Sequence, residues 1–325
     1  MKAFDCRVCG NPLYFENSVC VACSTPLGFS RAERALVPVD RKGRYVDHAG
    51  LVWWVCANLN RSGCTWLAPL QGGQCFACDL TRARPDEVDE NYLLAERAKR
   101  ALVVGLDSLG FPIRTRLEDP EQGLAFDLLS SVGEKPADVV IGHDRGIITI
   151  DLAESDPAYR EKIREALAEP YRTMLGHFRH EVGHYFEWQL VVGDLIGKAR
   201  ELFGDETTSY ADAIQRHYSE GAPADWRANY ISTYATMHPF EDFAETFAHY
   251  LHICDTVESA AEYGLATVAP VSAFKQFRDV VTGVWIPLST ALNVINRSMG
   301  KDDLYPFVIP APVLDKLDFV AALPR

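Results

Sequence analysis

The chain has no run of apolar residues near the ~20 that a membrane-spanning helix requires, and its first residues, MKAFDC, lack the apolar core of a secretory signal. Both absences give the expectation of a cytoplasmic protein with no membrane partner. Positive charge is also scarce. Lys and Arg number 32 against 45 Asp and Glu, for a formal net charge of −13. Such a surface repels phosphate backbones, so nucleic acid is not an expected partner. Cysteine is nearly missing beyond residue 78, where only Cys254 occurs. Low-complexity tracts are missing too, and with 48% hydrophobic and 24% charged residues the composition is that of a folded protein. A length of 325 residues suggests about two domains.

Eight cysteines crowd into the first 78 residues. A reducing cytosol disfavours disulfides, which leaves metal binding as the reading. Cys6-Arg7-Val8-Cys9 and Cys20-Val21-Ala22-Cys23 are C-x-x-C pairs separated by ten residues, the spacing of two knuckles that close a four-thiolate zinc site. Gly10 suits the tight turn of the first knuckle. A second set, Cys56, Cys64, Cys75 and Cys78, opens with seven intervening residues and closes with a regular knuckle. Iron in the same cages, a redox dithiol, and thiolates shared across the two sets are the alternatives. No βαβ pattern surrounds either C-x-x-C, which weakens the redox reading. With all positions filled by protein, these ions are structural and supply the folding energy of modules too small for a core. The polar run from Asp79 to Asn91 reads as a linker. Residues 1–84 are then a ribbon region and 85–325 a second domain.

In that second domain, Tyr92 to about Leu109 carries Leu94, Ala98, Ala101 and Leu102 at helical intervals and meets Gly110 as a C-cap. Strands are expected at Leu124 to Leu129, Asp138 to Ile141 and Gly146 to Ile150, the last two forming a hairpin across His143-Asp144-Arg145. Asp156-Pro157 starts a helix running to about Ala168, and Pro170 opens the next.

That next helix holds the stretch around which the chain is organised, Phe178-Arg179-His180-Glu181-Val182-Gly183-His184-Tyr185-Phe186. It contains H-E-x-x-H, a zinc-hydrolase signature on a helix. Residues four apart share a face, so His180 and His184 reach one ion and Glu181 lies between them as a base for water. Met174, Phe178, Val182 and Phe186 would bury the opposite face. A small sheet leading into such a helix is the layout of zinc-peptidase catalytic domains, and Ile147 to Ile150 is the candidate edge strand for an extended peptide.

A catalytic zinc keeps three protein ligands and one open position. The metzincin pattern requires Gly at 187 and His at 190, where this chain has Glu187 and Leu190. Glu241-Asp242-Phe243-Ala244-Glu245-Thr246-Phe247 instead resembles the thermolysin-type arrangement, a glutamate ligand followed four residues on by a second carboxylate. The resemblance assigns Glu241 as third ligand and Glu245 as the carboxylate that fixes a ligand histidine. Asp194, His217 and His238 are rivals for coordination, and His249 and His252 are read as structural hydrogen-bonders. By resemblance to zinc peptidases in which a tyrosine lies seven residues before such a glutamate, Tyr234 is the candidate oxyanion donor, with Tyr230 and His238 as competitors.

The segments CGNPLYFENSVCVACSTPLGF, GHFRHEVGHYF, HPFEDFAETFAHYLHI, ALNVINRSMG and YPF resemble the bacterial zinc-binding metallopeptidases with an N-terminal zinc ribbon. The longer stretch from Ser30 to Gly50 between the cysteine sets departs from that pattern. The resemblance implies an α+β chain: a double zinc-ribbon-like module, then a mostly helical, zincin-like domain with a small sheet. It implies one catalytic Zn2+ beside one or two structural ions, and a peptide or protein substrate. Phe274 to Met299 is expected as one or two helices interrupted at Trp285-Ile286-Pro287, with Arg297 in a surface ion pair. The ribbons are expected to recognise a protein partner or to pack on the catalytic domain. The alternative from another class is a zinc-binding adaptor without hydrolytic turnover, against which an intact Glu181 speaks.

Overall fold

Each C-x-x-C of the first cysteine set turns back on a residue with left-handed backbone. Gly10 (φ 73°) donates its N–H to the Cys6 carbonyl at 2.8 Å, and Ser24 (φ 58°) does the same to Cys20 at 2.8 Å. Glycine adopts this conformation freely, whereas at Ser24 it costs about 1–2 kcal/mol. These turns belong to a computed structural model that describes residues 2–132, 139–166 and 171–325. Contacts divide the chain into two compact units, Met1–Tyr159 and Arg160–Arg325.

In the first unit β1 (Phe4–Asp5) and β2 (Pro12–Leu13) form a hairpin around the first knuckle. Cys6 Sγ lies 3.7 Å from Cys23 Sγ, and Cys9 Sγ lies 3.7 Å from Cys20 Sγ. A tetrahedral ion with 2.3 Å bonds to sulfur needs edges of about 3.8 Å. The insertion between the cysteine sets is built as β3 (Leu27–Ser30) against β4 (Ala35–Pro38), followed by β5 (Arg44–Val46) and β6 (Val52–Val55). Phe29 packs on Trp66, ring centroids 4.9 Å apart, giving this region a small aromatic core. After α1 (Leu59–Ser62), β7 (Leu67–Ala68) and α2 (Phe76–Asp79) complete the second quartet. There Cys56 and Cys78 are 3.6 Å apart and Cys64 and Cys75 are 3.5 Å apart. The eight thiols therefore group as the two sequence sets, with no sharing between them.

Part of the expected linker is a strand. β8 (Thr81–Ala83) pairs in parallel with β9 (Ala125–Leu129), and Arg82 forks onto the Asp127 carboxylate across the pair. Between them runs α3 (Glu90–Leu109), capped by the Asp89 side chain on Tyr92 N–H and closed by Gly110 (φ 78°). Its buried face holds Tyr92, Ala95, Leu102, Val103 and Leu106 but also Glu96, Lys99 and Arg100. The charges are buried because they are paired: Lys99 Nζ is 2.7 Å from Glu96 Oε1, and Arg100 reaches Glu16.

The remaining strands, β10 (Gly142–Asp144) and β11 (Ile147–Asp151), form a hairpin, but its first strand is displaced from the expected Asp138 to Ile141. Residues 139–141 are not a strand, and His143 and Asp144, expected in the turn, pair with Ile148 and Ile147. Arg145 (φ 43°) and Gly146 (φ 87°) are the two central residues of the turn, the geometry of a primed turn. Sheet order is β10-β11-β9-β8. The expectation that Ile147 to Ile150 offers a free edge is corrected here: β11 has β10 on one side and β9 on the other, and its Ile148 and Ile150 are fully buried. The start of the expected strand at Asp138, the end of the expected helix near Ala168, and Pro170 lie outside the described residues; the helix expected to open at Pro170 begins instead at Met174, because Thr173 supplies its cap.

α4 (Pro157–Ala166), capped by Asp156, carries the division between the units. The second unit continues with α5 (Met174–Leu190), α6 (Asp194–Phe203), α7 (Tyr210–Glu220) and α8 (Pro239–Glu262). Then come α9 (Phe277–Val280), a π-helical stretch over Val281–Trp285 that admits Pro287, α10 (Ile286–Ser298) and α11 (Ala311–Ala321). Arg297 pairs with Asp303 at the surface, and Lys316 of α11 reaches Asp242 of α8 at 2.6 Å. Among the described residues no helix is long and apolar enough to cross a membrane.

The pairing of α5 with α8 is the centre of this unit. Thr173 Oγ1 caps α5 by accepting from Gly176 N–H at 2.9 Å, and His238 Nδ1 caps α8 by accepting from Phe240 N–H at 3.1 Å. Phe178, Val182 and Phe186 are fully buried, and Phe186 stacks on Phe247 with centroids 5.6 Å apart. At Gly183 the helices come so close that a Cβ would lie 2.9 Å from Ala244 Cα. Gly183→Val is therefore expected to lower the unfolding free energy by about 1–3 kcal/mol in chemical denaturation. Gly197→Ala, at a helical position with nothing within 4 Å, should be neutral or slightly stabilising.

Candidate metal centre

α5 and α8 contribute the donors. His180 and His184 stand one turn apart on α5, with their Nε2 atoms 3.2 Å from each other. Glu241, in the first turn of α8, brings Oε2 to 3.0 Å from His180 Nε2 and 3.5 Å from His184 Nε2. A tetrahedral zinc with bonds of about 2.0–2.1 Å needs edges of about 3.3 Å, so this triangle matches three corners. Among the described residues the groups that converge in this way are the two cysteine quartets and His180, His184 and Glu241.

A chain of hydrogen bonds holds the donors. Glu245, one turn after Glu241, takes His180 Nδ1 at 2.9 Å and is itself held by Ser232 Oγ at 2.7 Å. With Nδ1 engaged by Glu245, Nε2 is the nitrogen that faces the cluster. The Tyr210 hydroxyl donates to Glu241 Oε1 at 2.7 Å, leaving Oε2 to face the imidazoles. Burial would push the His180 imidazole down, but Glu241 and Glu245 on its two nitrogens hold it well above its ordinary value. Burial likewise opposes ionisation of Glu241, and the two histidines outweigh it. The two carboxylates on one imidazole favour positive charge at the cluster.

Glu181 lies beside this cluster and is buried. Its Oε1 is 3.3 Å from His177 Nε2, whereas Oε2 is buried with no hydrogen-bond partner among the described residues. Burial would raise its carboxyl; His177, His180 and His184 together pull it below the ordinary value, so the group is a carboxylate. An ionised, desolvated oxygen without a donor is costly, by about 1–3 kcal/mol or more, and fits a site built to receive a proton donor. The donor set of two imidazoles and a carboxylate is also the chemistry zinc prefers.

Tyr234 has its ring 5.8 Å from that of His180, and burial together with the Glu241 charge pushes its phenol upward, keeping it protonated. Tyr230 instead faces the Lys316 ammonium, 4.4 Å from its ring centroid. The coordination rivals stand elsewhere. Asp194 is exposed at the start of α6, His217 packs its ring 6.1 Å from that of Tyr234, and His238 caps α8. Tyr210, Ser232 and His177 were missed from sequence. Tyr210 and Ser232 act across tertiary space and carry no local signal, whereas His177 stands four residues before Glu181 and was legible as its helical neighbour.

His252 Nδ1 meets Arg179 at 2.5 Å, and His249 Nδ1 meets the Tyr305 hydroxyl at 2.7 Å. Burial pushes His249 down to about 4. A histidine lowered from about 6.5 in the unfolded chain stabilises the fold fully above that value, and the contribution fades as pH falls toward 4. Between these limits it amounts to about 3 kcal/mol. Denaturant titrations of wild type and His249→Gln from pH 7 to 4 are expected to show the loss in wild type and its absence in the variant. Tyr210→Phe and Glu245→Gln are each expected to weaken zinc binding at the His180 cluster by about 10–100-fold in chelator competition, with both cysteine sites unaffected.

The chain is 46% identical to uncharacterised proteins of Mycobacterium tuberculosis and Mycobacterium bovis, in alignments covering 98% of this chain and 94% of each relative. No solved structure matches it. A zinc-ribbon domain model matches residues 3–89, and the family described as "Putative zinc-binding metallo-peptidase" matches residues 89–323. That second match takes in α5 and α8 with every donor described above and covers well over half of the chain, so the protein belongs to this zinc-binding metallopeptidase family, with an N-terminal zinc ribbon.

Proposed function

We propose that the protein is a zinc-dependent peptidase of the gluzincin type, in which His180, His184 and Glu241 hold one ion and Glu181 is the general base. The observation that carries this reading is the unpartnered, buried Glu181 Oε2 beside a three-donor cluster of tetrahedral dimensions. Zinc there supplies a Lewis acid that polarises a carbonyl and renders water acidic near neutrality. Glu181 takes the proton from the attacking water and returns it to the leaving amine. Glu245 keeps the proton of His180 on Nδ1, and Tyr210 keeps Glu241 turned toward the imidazoles. Tyr234, protonated and close to His180, donates to the oxyanion.

The two cysteine quartets serve as structural zinc sites in a ribbon region that we take as residues 1–84, ahead of a catalytic region of 85–325. Eight thiols kept for metal need a reducing compartment, which favours the cytoplasm. The ribbons are surfaces for a protein partner, and the net charge of −13 disfavours nucleic acid.

The test is cleavage of a peptide library, extended with small amides, by wild type and Glu181→Gln. Turnover is expected to fall by about 10²–10⁴-fold in the variant while zinc content stays the same. If neither protein cleaves anything with zinc bound, an adaptor role replaces the enzyme. Metal analysis is expected to find three ions. A chelator should remove the ion at the three-ligand site first, since the cysteine sites are closed by four thiolates.

A further inference from the structure

The geometry points to His177 as a positioning residue for Glu181, one that acts on the base and touches neither substrate nor metal. The inference rests on the peptidase reading for the role of Glu181 and extends it by one residue. His177 and Glu181 are four apart on α5 and lie on one stripe of the helix, His177 Nε2 being 3.3 Å from Glu181 Oε1. Their side chains are 10% and 7% exposed, too enclosed for bulk water to take over either group.

The terminal torsion of a glutamate is a broad, roughly two-fold rotor. Without a fixed partner the two carboxylate oxygens would exchange places and spread over a range of angles. His177 removes that equivalence, since it engages Oε1 and leaves Oε2 as the oxygen without a partner. The neighbouring histidines have other tasks. His180 and His184 point their Nε2 atoms into the donor cluster, His238 caps α8, and His249 and His252 bond Tyr305 and Arg179. The residues between His177 and His180 are also committed, Phe178 to the core and Arg179 to Asp255 at 2.6 Å. The segment His177-Phe178-Arg179-His180-Glu181 thus assigns one histidine to orienting the base and the next to the ion.

The test uses the zinc-loaded full chain with His177→Ala and His177→Gln, the second placing an amide N–H within reach of the carboxylate. The alanine variant should lose about 10–100-fold in kcat with KM within twofold and zinc content unchanged, and glutamine should restore most of the loss. A second readout needs no turnover. Acetohydroxamate binds zinc while donating to the base carboxylate, so His177→Ala and Glu181→Gln should each weaken it by about tenfold. The double variant should be no weaker than Glu181→Gln alone. Additive losses, wild-type kcat in the alanine variant, or equal failure of alanine and glutamine would each overturn the inference. If wild type cleaves nothing yet the hydroxamate losses are non-additive, the positioning role stands and the peptidase reading falls. If Glu181→Gln abolishes cleavage while His177→Ala matches wild type in both readouts, the peptidase reading stands and this inference falls.

Discussion

The close approach of two helices at Gly183 governs the second unit. A hydrogen where any other residue has a Cβ lets α5 descend onto Ala244 of α8, and Phe178, Val182, Phe186, Phe243 and Phe247 bury the seam. The metal-facing side of α5 is one turn removed from that contact. The distances of 3.0–3.5 Å among His180, His184 and Glu241 depend on how closely the two helix backbones approach. Packing energy spent on an aromatic seam is thereby converted into ligand preorganisation.

The first unit solves a different problem. Its cysteine modules are too short to bury a large core, so two quartets of thiols at tetrahedral spacing take the place of apolar area. Four thiolates around a divalent ion leave net negative charge. In the same unit α3 buries two cations, Lys99 and Arg100. Glu96 and Glu16 pair with the same two cations, which accounts for a helix face that looks misplaced by hydrophobicity alone.

Within the metal centre the carboxylates are distinguished by their partners. Glu241 is shared between imidazoles and Tyr210, and Glu245 between His180 and Ser232. Glu181 keeps one oxygen without a partner. Three acids of the paired helices thereby differ in their partners, and the proposed roles of ligand, outer support and base follow that difference. The site's chemistry lies in that division more than in any single distance.

Spacing alone was enough to find the cysteine quartets, the H-E-x-x-H helix and the cap at Gly110, because each is a local pattern whose period is set by backbone geometry, whereas the glutamate pair on α8 came from a resemblance to thermolysin-type sites. Local pattern also placed the hairpin before α4, yet it could not say that β11 lies inside the sheet, since strand order depends on which distant strand pairs with it. The strand at Thr81–Ala83 was hidden in a charged run because its arginine is satisfied only by Asp127, far along the chain. Tyr210 and Ser232 reach their carboxylates through the tertiary packing of separate segments and leave no periodic trace. Residue order thus set which chemical groups are on offer, while the pairing of a given oxygen with a given nitrogen came from packing, which selects hydrogen-bond partners far apart in the chain.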